Sequence, residues 1–403
     1  MKSDVGVAVA EHPSEGLPLF QRLRSLESSR EIVLTICFVL ILFLFAITAL
    51  VSRLYHKKVH SLGDEWFSKG EAALRAGQVK AALDDYRNAL VYSPNNSVFQ
   101  LHLAQALAAA GRLDEAASYL TNLLAESPGN GELNLELARI AVRKNQIVDA
   151  MRYYQSAIYG VWESDPLVRR WNVRRELVEY LLGHGDVNDA QPEAIALAQE
   201  VPAGDLDRQR TAGEFLLRAG LWDRAREEFQ SVLKFDSRDA EALAGAGTAL
   251  YQVQRYPEAL LYFNRLPHEK RVEPQIANMI ENARAIVSAN PWAAGLSAEE
   301  RARRTSDALM AAVARMSDCA HEHGESLSET PAVSDFQNFY ATSQDMARDW
   351  SERNLTLHPD RIDAAMALVF QIEDATAQRC GEPTSGIDNA LRVIEQLREK
   401  ALS

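Results

Sequence analysis

Residues 32–51 read IVLTICFVLILFLFAITALV, an apolar run with no charge and no polar face. At a rise of about 1.5 Å per residue it makes a helix of roughly 30 Å, the thickness of bilayer hydrocarbon, and it predicts one membrane-spanning helix. Arg30 and Glu31 close the run on one side, and Arg53, Tyr55, His56, Lys57 and Lys58 close it on the other, as interfacial side chains do. It exceeds the roughly 7–15 residue core of a cleaved signal, so an uncleaved anchor is expected. The stretch 1–31 holds few large apolar residues and is read as a disordered tail. Arg22, Arg24 and Arg30 before the run balance Arg53, Lys57, Lys58 and Lys69 after it, so charge alone leaves the orientation open.

Beyond the anchor the apolar positions fall into helical units with a period of 34. Gly77, Gly111 and Asn145 mark the period, and Ala82, Ala116 and Ala150 keep the same step. So do Tyr86, Leu120 and Tyr154, then Ala89, Leu123 and Ala157, while Pro94 and Pro128 close their units. Extra residues enter after Trp162, and the pattern resumes with Leu177, Gly185, Ala190 and Pro202. Gly213, Leu216, Gly220, Ala225 and Phe229 mark a fifth unit, and Gly247, Leu250, Ala259 and Phe263 a sixth.

This pattern resembles the tetratricopeptide repeat, whose signature runs Trp, Leu-Gly, Tyr, Ala, aromatic, Ala, Pro. The first unit carries Trp66, Gly70, Ala82, Tyr86, Ala89 and Pro94, with Lys69 in place of the Leu. Small residues such as Gly70 and Ala82 let two antiparallel helices approach closely, and the aromatic fills the space between units. Glycine at the turn supplies left-handed backbone, and the proline stops the second helix. The resemblance implies an all-α protein with an α-solenoid of about six repeats over 61–270. The GAGTAL stretch from Gly245 to Leu250 imitates a Gly-rich nucleotide loop, but no strand precedes it and Gly247 takes a small-residue slot of the repeat.

The resemblance also implies that the first helix of each unit lines a concave groove where a partner protein or peptide lies. By register the lining residues of the first three units are Phe67, Glu71, Leu101, His102, Gln105, Leu135, Arg139 and Arg143. Those of the later units are Arg175, Glu179, Arg210, Glu214, Arg218, Thr248 and Tyr251. Family members that clamp a C-terminal carboxylate do so with Lys and Asn, a set this list does not hold. The arginines suit an acidic peptide, and equally suit pairing with Glu136, Glu176 and Glu214 as a solvated charged face.

A helix within 271–290 is expected to cap the array, after which the period stops. Four amphipathic segments follow in 291–403, at 297–319, 333–353, 361–380 and 387–402, and predict a four-helix bundle. Ser297 and Glu300 form a capping box. Cys319 and Cys380 end the first and third of these helices, which run parallel in an up-down bundle, so a disulfide between them is a candidate and two buried thiols the alternative. His321 and His323 with the two cysteines would make a zinc set, but neither Cys-x-His nor His-x-His matches a common zinc module, and no metal is expected.

The remaining chemistry narrows the picture. The chain has 43 Lys and Arg against 56 Asp and Glu, a net charge of −13, which disfavours a nucleic-acid partner. No metalloprotease, phosphate-loop, nucleophile-elbow or paired-cysteine motif is present. The reading is a single-pass, membrane-anchored scaffold without cofactor or catalysis, bound to the bilayer through 32–51 and to partner proteins through its groove. An enzyme or metal-binding protein with a site in the C-terminal helices is the alternative. The bridged cysteines would favour an extracytoplasmic position for the repeats.

Overall fold

The computed structural model describes residues 19–324, 335–383 and 386–402. The described residues are helical apart from turns and one isolated bridge between Asn130 and Val161. The chain divides into two compact units, Met1–Trp162 and Glu163–Ser403, so the division falls inside the repeat array, where the period is interrupted.

The first unit holds α1 (Leu19–Arg75), α2 (Val79–Tyr92), α3 (Ser97–Ala109), α4 (Leu113–Glu126), α5 (Gly131–Arg143) and α6 (Ile147–Ile158). Helix α1 is 57 residues long and joins the apolar run to the first repeat without a break. Leu19 to Glu31 are therefore helical, where the sequence suggested a disordered tail; no Pro or Gly interrupts the chain between Leu19 and Gly63, so a helix formed at the apolar run propagates both ways. Residues 1–18 of that tail lie outside the described residues.

The later part of α1 pairs with α2, α3 with α4, and α5 with α6. Gly77 and Gly111 end the first helices of two repeats at φ 74° and 80°, and Asn145 takes the same left-handed turn in the third at φ 56°. A Cβ on Gly70 would meet the Tyr86 ring at 2.7 Å, which is why the signature has glycine opposite an aromatic. Asn96 and Asn130 cap α3 and α5, each accepting from two helix N–H groups. The third repeat closes on Trp162, whose indole covers Gly131 and donates to the Ala157 carbonyl at 3.0 Å.

The second unit begins with three more helix pairs: α7 (Pro166–His184) with α8 (Val187–Gln199), α9 (Leu206–Arg218) with α10 (Trp222–Phe235), and α11 (Ala240–Gln252) with α12 (Tyr256–Phe263). Phe229 is fully buried between Gly213 and Gly245, and Phe263 packs on Gly247, so the GAGTAL glycines receive aromatic rings. Arg174 is only 4% exposed and ties α7 to α8 through Glu193 and Glu200.

A short α13 (His268–Arg271) precedes α14 (Pro274–Ala289). Then come α15 (Ala298–Glu322), α16 (Asp335–Asp349), α17 (Glu352–Leu357), α18 (Ile362–Cys380) and α19 (Gly386–Leu402). Ser297 caps α15 by accepting from the Glu300 N–H at 3.1 Å. The segment expected as one helix over 333–353 is two, because the chain turns at Trp350 and α17 starts after Ser351; residues 333 and 334 lie outside the described residues. Among the described residues the C-terminal region thus has five helices where four were expected, plus a 3₁₀ turn at Pro359–Arg361. Leu355 of α17 is buried with Ala302 and Ala365, which gives the extra helix its place in the core.

Helix α14 is shared. Its Ile276 and Ile280 belong to the core of the sixth repeat, while Ala283, Ile286 and Ala289 belong to one core with Leu309, Val313, Met316, Val369, Leu391 and Ile394. It covers the array, as a cap should, and its other face seats the C-terminal helices.

Candidate functional site

In the first unit the first-helix face is built from side chains on α1, α3 and α5. Phe67 stacks on Phe99 with ring centres 4.7 Å apart and lies edge-on to His102 at 4.9 Å. Glu71 accepts from the Tyr86 hydroxyl and pairs with His102 Nδ1 at 2.7 Å. Those partners, Tyr86 first, hold the Glu71 carboxyl below its usual range, while burial, and then Glu71 itself, push the Tyr86 phenol up. Phe67, Glu71, Leu101 and His102 are therefore half-buried members of a joint between repeats.

One period after His102 stands Glu136, raised by burial, accepting from Gln105 at 3.3 Å and Arg139 at 3.1 Å. Arg143 donates to the carbonyl of Ala108, a last-turn carbonyl of α3. Leu135 was expected in the groove; it is 7% exposed and belongs to the core, because α5 buries most of its circumference.

In the second unit α7, α9 and α11 present a ladder of alternating charge. Arg218 makes two bonds to Glu179, at 2.9 and 3.1 Å, and lowers its carboxyl. Arg210 pairs with Asp207 on its own helix and with Asp239, the cap of α11, at 3.0 Å. Glu214 is exposed, yet partial desolvation and the nearby Glu241 raise its carboxyl. Arg175 is exposed and makes no hydrogen bond or ion pair among the described residues. Thr248 is half-buried, and Tyr251 sits edge-on against Tyr256 at 5.2 Å.

The arginines thus divide: Arg139, Arg210 and Arg218 are engaged with carboxylates, Arg143 with a carbonyl, and Arg175 stands open. Glu136 pairs with Arg139 as the charged-face reading has it, but Arg210 pairs with Asp207 on its own helix and Asp239 at the cap of the next first helix, and Arg218 with Glu179 on α7. Sequence reasoning missed Asp239 and Tyr86 as polar partners. The cap position of Asp239 before α11 was the available signal.

In the C-terminal helices Cys319 and Cys380 form a disulfide with Cα atoms 6.0 Å apart. His323 lies beside it, its Nδ1 3.5 Å from Cys380 Sγ, while His321 is exposed. Cys37 is a free thiol on the exposed surface of α1.

Profiles of the family described as tetratricopeptide repeat match residues 67–131, 107–159 and 211–274. The matched residues carry tetratricopeptide repeats: they are helix pairs with the family's turn glycines and small-residue contacts. No curated protein matches it. Among solved structures it is similar to YrrB, described as a TPR protein with an unusual peptide-binding site, at 17% identity over 48% of this chain and 95% of that one, TM-score 0.37. It is similar to a tetratricopeptide repeat protein from Parabacteroides merdae at 12% identity, covering 77% and 99% of the two chains, TM-score 0.38. A third likeness is to pilF of Pseudomonas aeruginosa, at 15% identity over 54% of this chain and 94% of that one, TM-score 0.37.

Proposed function

We propose that the chain is a non-catalytic, membrane-anchored adaptor whose first-helix faces hold segments of partner proteins. The repeats are a protein-interaction scaffold, and the reading rests on Arg175 above all. It stands on the first helix of its repeat, exposed and unbonded, beside Glu179, whose carboxylate is already held by Arg218. A guanidinium free to make a bidentate contact suits an acidic side chain on a partner segment. Arg139 and Arg143 are secondary contacts, since a partner must share or displace their present bonds.

A photo-crosslinking residue at position 175 in native membranes, with one at Ser231 on a second helix as the comparison, tests this. Position 175 should yield discrete protein adducts that Ser231 does not. Equal adduct patterns from both positions would remove the groove from the account.

Residues 32–51 supply the anchor in this reading: the run is apolar, helical and exposed. The N-terminal tail then lies in the cytoplasm and the repeats on the far side of the membrane, a placement supported by the Cys319–Cys380 disulfide, which a reducing cytosol does not maintain. Protease added to the outside of sealed cells should digest the repeats, whereas full protection of 61–403 would place them inside.

A further inference from the structure

The strongest unassigned chemistry lies where α15 and α18 end together. Cys319, His323 and Cys380 each offer a ligand atom, and the three atoms lie within 4.8 Å of one another. Cys319, in the last turn of α15, and His323, the cap just past its end, are four residues apart, so both face the same side of the helix end, the spacing at which two side chains chelate one ion. Neighbour spacings around the CAHEHG run hide this pair, and Cys380 joins it only through the fold.

With bond lengths of about 2.3 Å to sulfur and about 2.0–2.1 Å to nitrogen, a tetrahedral ion spaces its sulfur and nitrogen ligands roughly 3.6 Å apart. The observed 3.5 Å between Cys380 Sγ and His323 Nδ1 already matches that edge. Arg315 donates to the Gly381 carbonyl at 2.9 Å, which ties α15 to the residue that follows Cys380 and holds the two helix ends together. His323 is exposed and Cys319 buried, so the three ligands close one side of an ion and leave its fourth position to solvent.

We propose that the reduced chain binds a thiophilic divalent cation of the zinc class through Cys319, Cys380 and His323, and that the disulfide and the metal site are alternative states of the same residues. Reduction by an external dithiol balances as an exchange. A reductant thiolate attacks Cys380, the more accessible sulfur; Cys319 leaves and takes up a proton. The reductant's second thiol, giving up its proton to solvent, then closes the reductant's own disulfide, and Cys380 leaves as a thiolate and takes up a proton. Metal binding releases both cysteine thiol protons to solvent and exchanges the His323 contact with the Cys319 carbonyl for coordination.

The test uses the full chain in detergent with Cys37→Ser, reduced with dithiothreitol and freed of it under argon, then titrated with Co2+ and back-titrated with Zn2+. One Co2+ per chain with a thiolate-to-cobalt absorption band, lost on Zn2+ addition and missing in the oxidised chain, is the expected result. His323→Ala should weaken binding at least about tenfold. The same variant should still form the disulfide on oxidation, which shows that it folds, and His321→Ala should bind as the parent does. A reduced chain without the band, or His323→Ala with parental affinity, would overturn the proposal.

Discussion

Glu71 in the first repeat and Glu373 in the C-terminal helices are both drawn into packed surroundings, and the two regions treat their carboxylates in opposite ways. Glu71 is partly exposed and accepts from Tyr86 and His102, so its charged form is favoured. Glu373 on α18 is 0% exposed; one oxygen takes Arg315, the other has no partner among the described residues, and burial pushes it up to about 7 in spite of the guanidinium. In the first three repeats, each unit buries its apolar face against the next, and the charged side chains keep to the remaining surface. The C-terminal helices have no such repeating contact, and they join distant segments through a disulfide and a buried ion pair. The joint around Glu71 stays partly solvated, whereas the C-terminal bundle takes the Glu373 carboxyl into its core.

The largest expected effect separates the two kinds of packing. Tyr86→Ala removes a fully buried ring from between repeats and should cost about 3–5 kcal/mol. Hydrogen exchange read by mass spectrometry should show that loss in residues 61–162, with peptides from 291–403 unchanged. Cys380→Ser should do the reverse. It opens a loop between positions 61 residues apart, worth about 4 kcal/mol on the chain-entropy model, with faster exchange confined to α15, α18 and their neighbours.

The two carboxylates give opposite pH dependence, smaller in size. Glu373 has a folded value raised above its ordinary 4.5, so its contribution is present below about 4.5 and lost as pH rises through about 7. Against Glu373→Gln, the parent's melting temperature should fall progressively between those pH values. Glu71 is lowered, so its contribution is present above 4.5 and lost as pH falls through its folded value. Glu71→Gln should flatten the acid limb only, by the smallest of these shifts. The same sign for both variants would break the comparison.

Much of this was legible in the sequence because it is periodic or local. The step of 34 located the left-handed turns at Gly77, Gly111 and Asn145, and the glycines that face Tyr86 and Phe229. Cys319 and Cys380 could be matched because both stand at the ends of amphipathic segments. What could not be read depends on partners far apart in the chain. Glu71 meets His102 31 residues on, and Arg315 meets Glu373 58 residues on. Leu135 looked like a groove residue because register gives the helix but not how much of its circumference is covered. The continuity of α1 was hidden by composition, since a polar segment beside a helix reads as tail when considered alone.

The central claim is that an interaction scaffold is held at a membrane by a helix whose residues 32–51 contribute nothing to its core. It is tested most directly by producing residues 52–403, which keep the part of α1 that packs on α2, and comparing sedimentation and far-ultraviolet circular dichroism with the full chain. The account predicts a fragment that stays in solution without detergent, remains strongly helical and no longer sediments with membranes. A fragment that aggregates with loss of helix, or that still sediments with membranes as the full chain does, would contradict it.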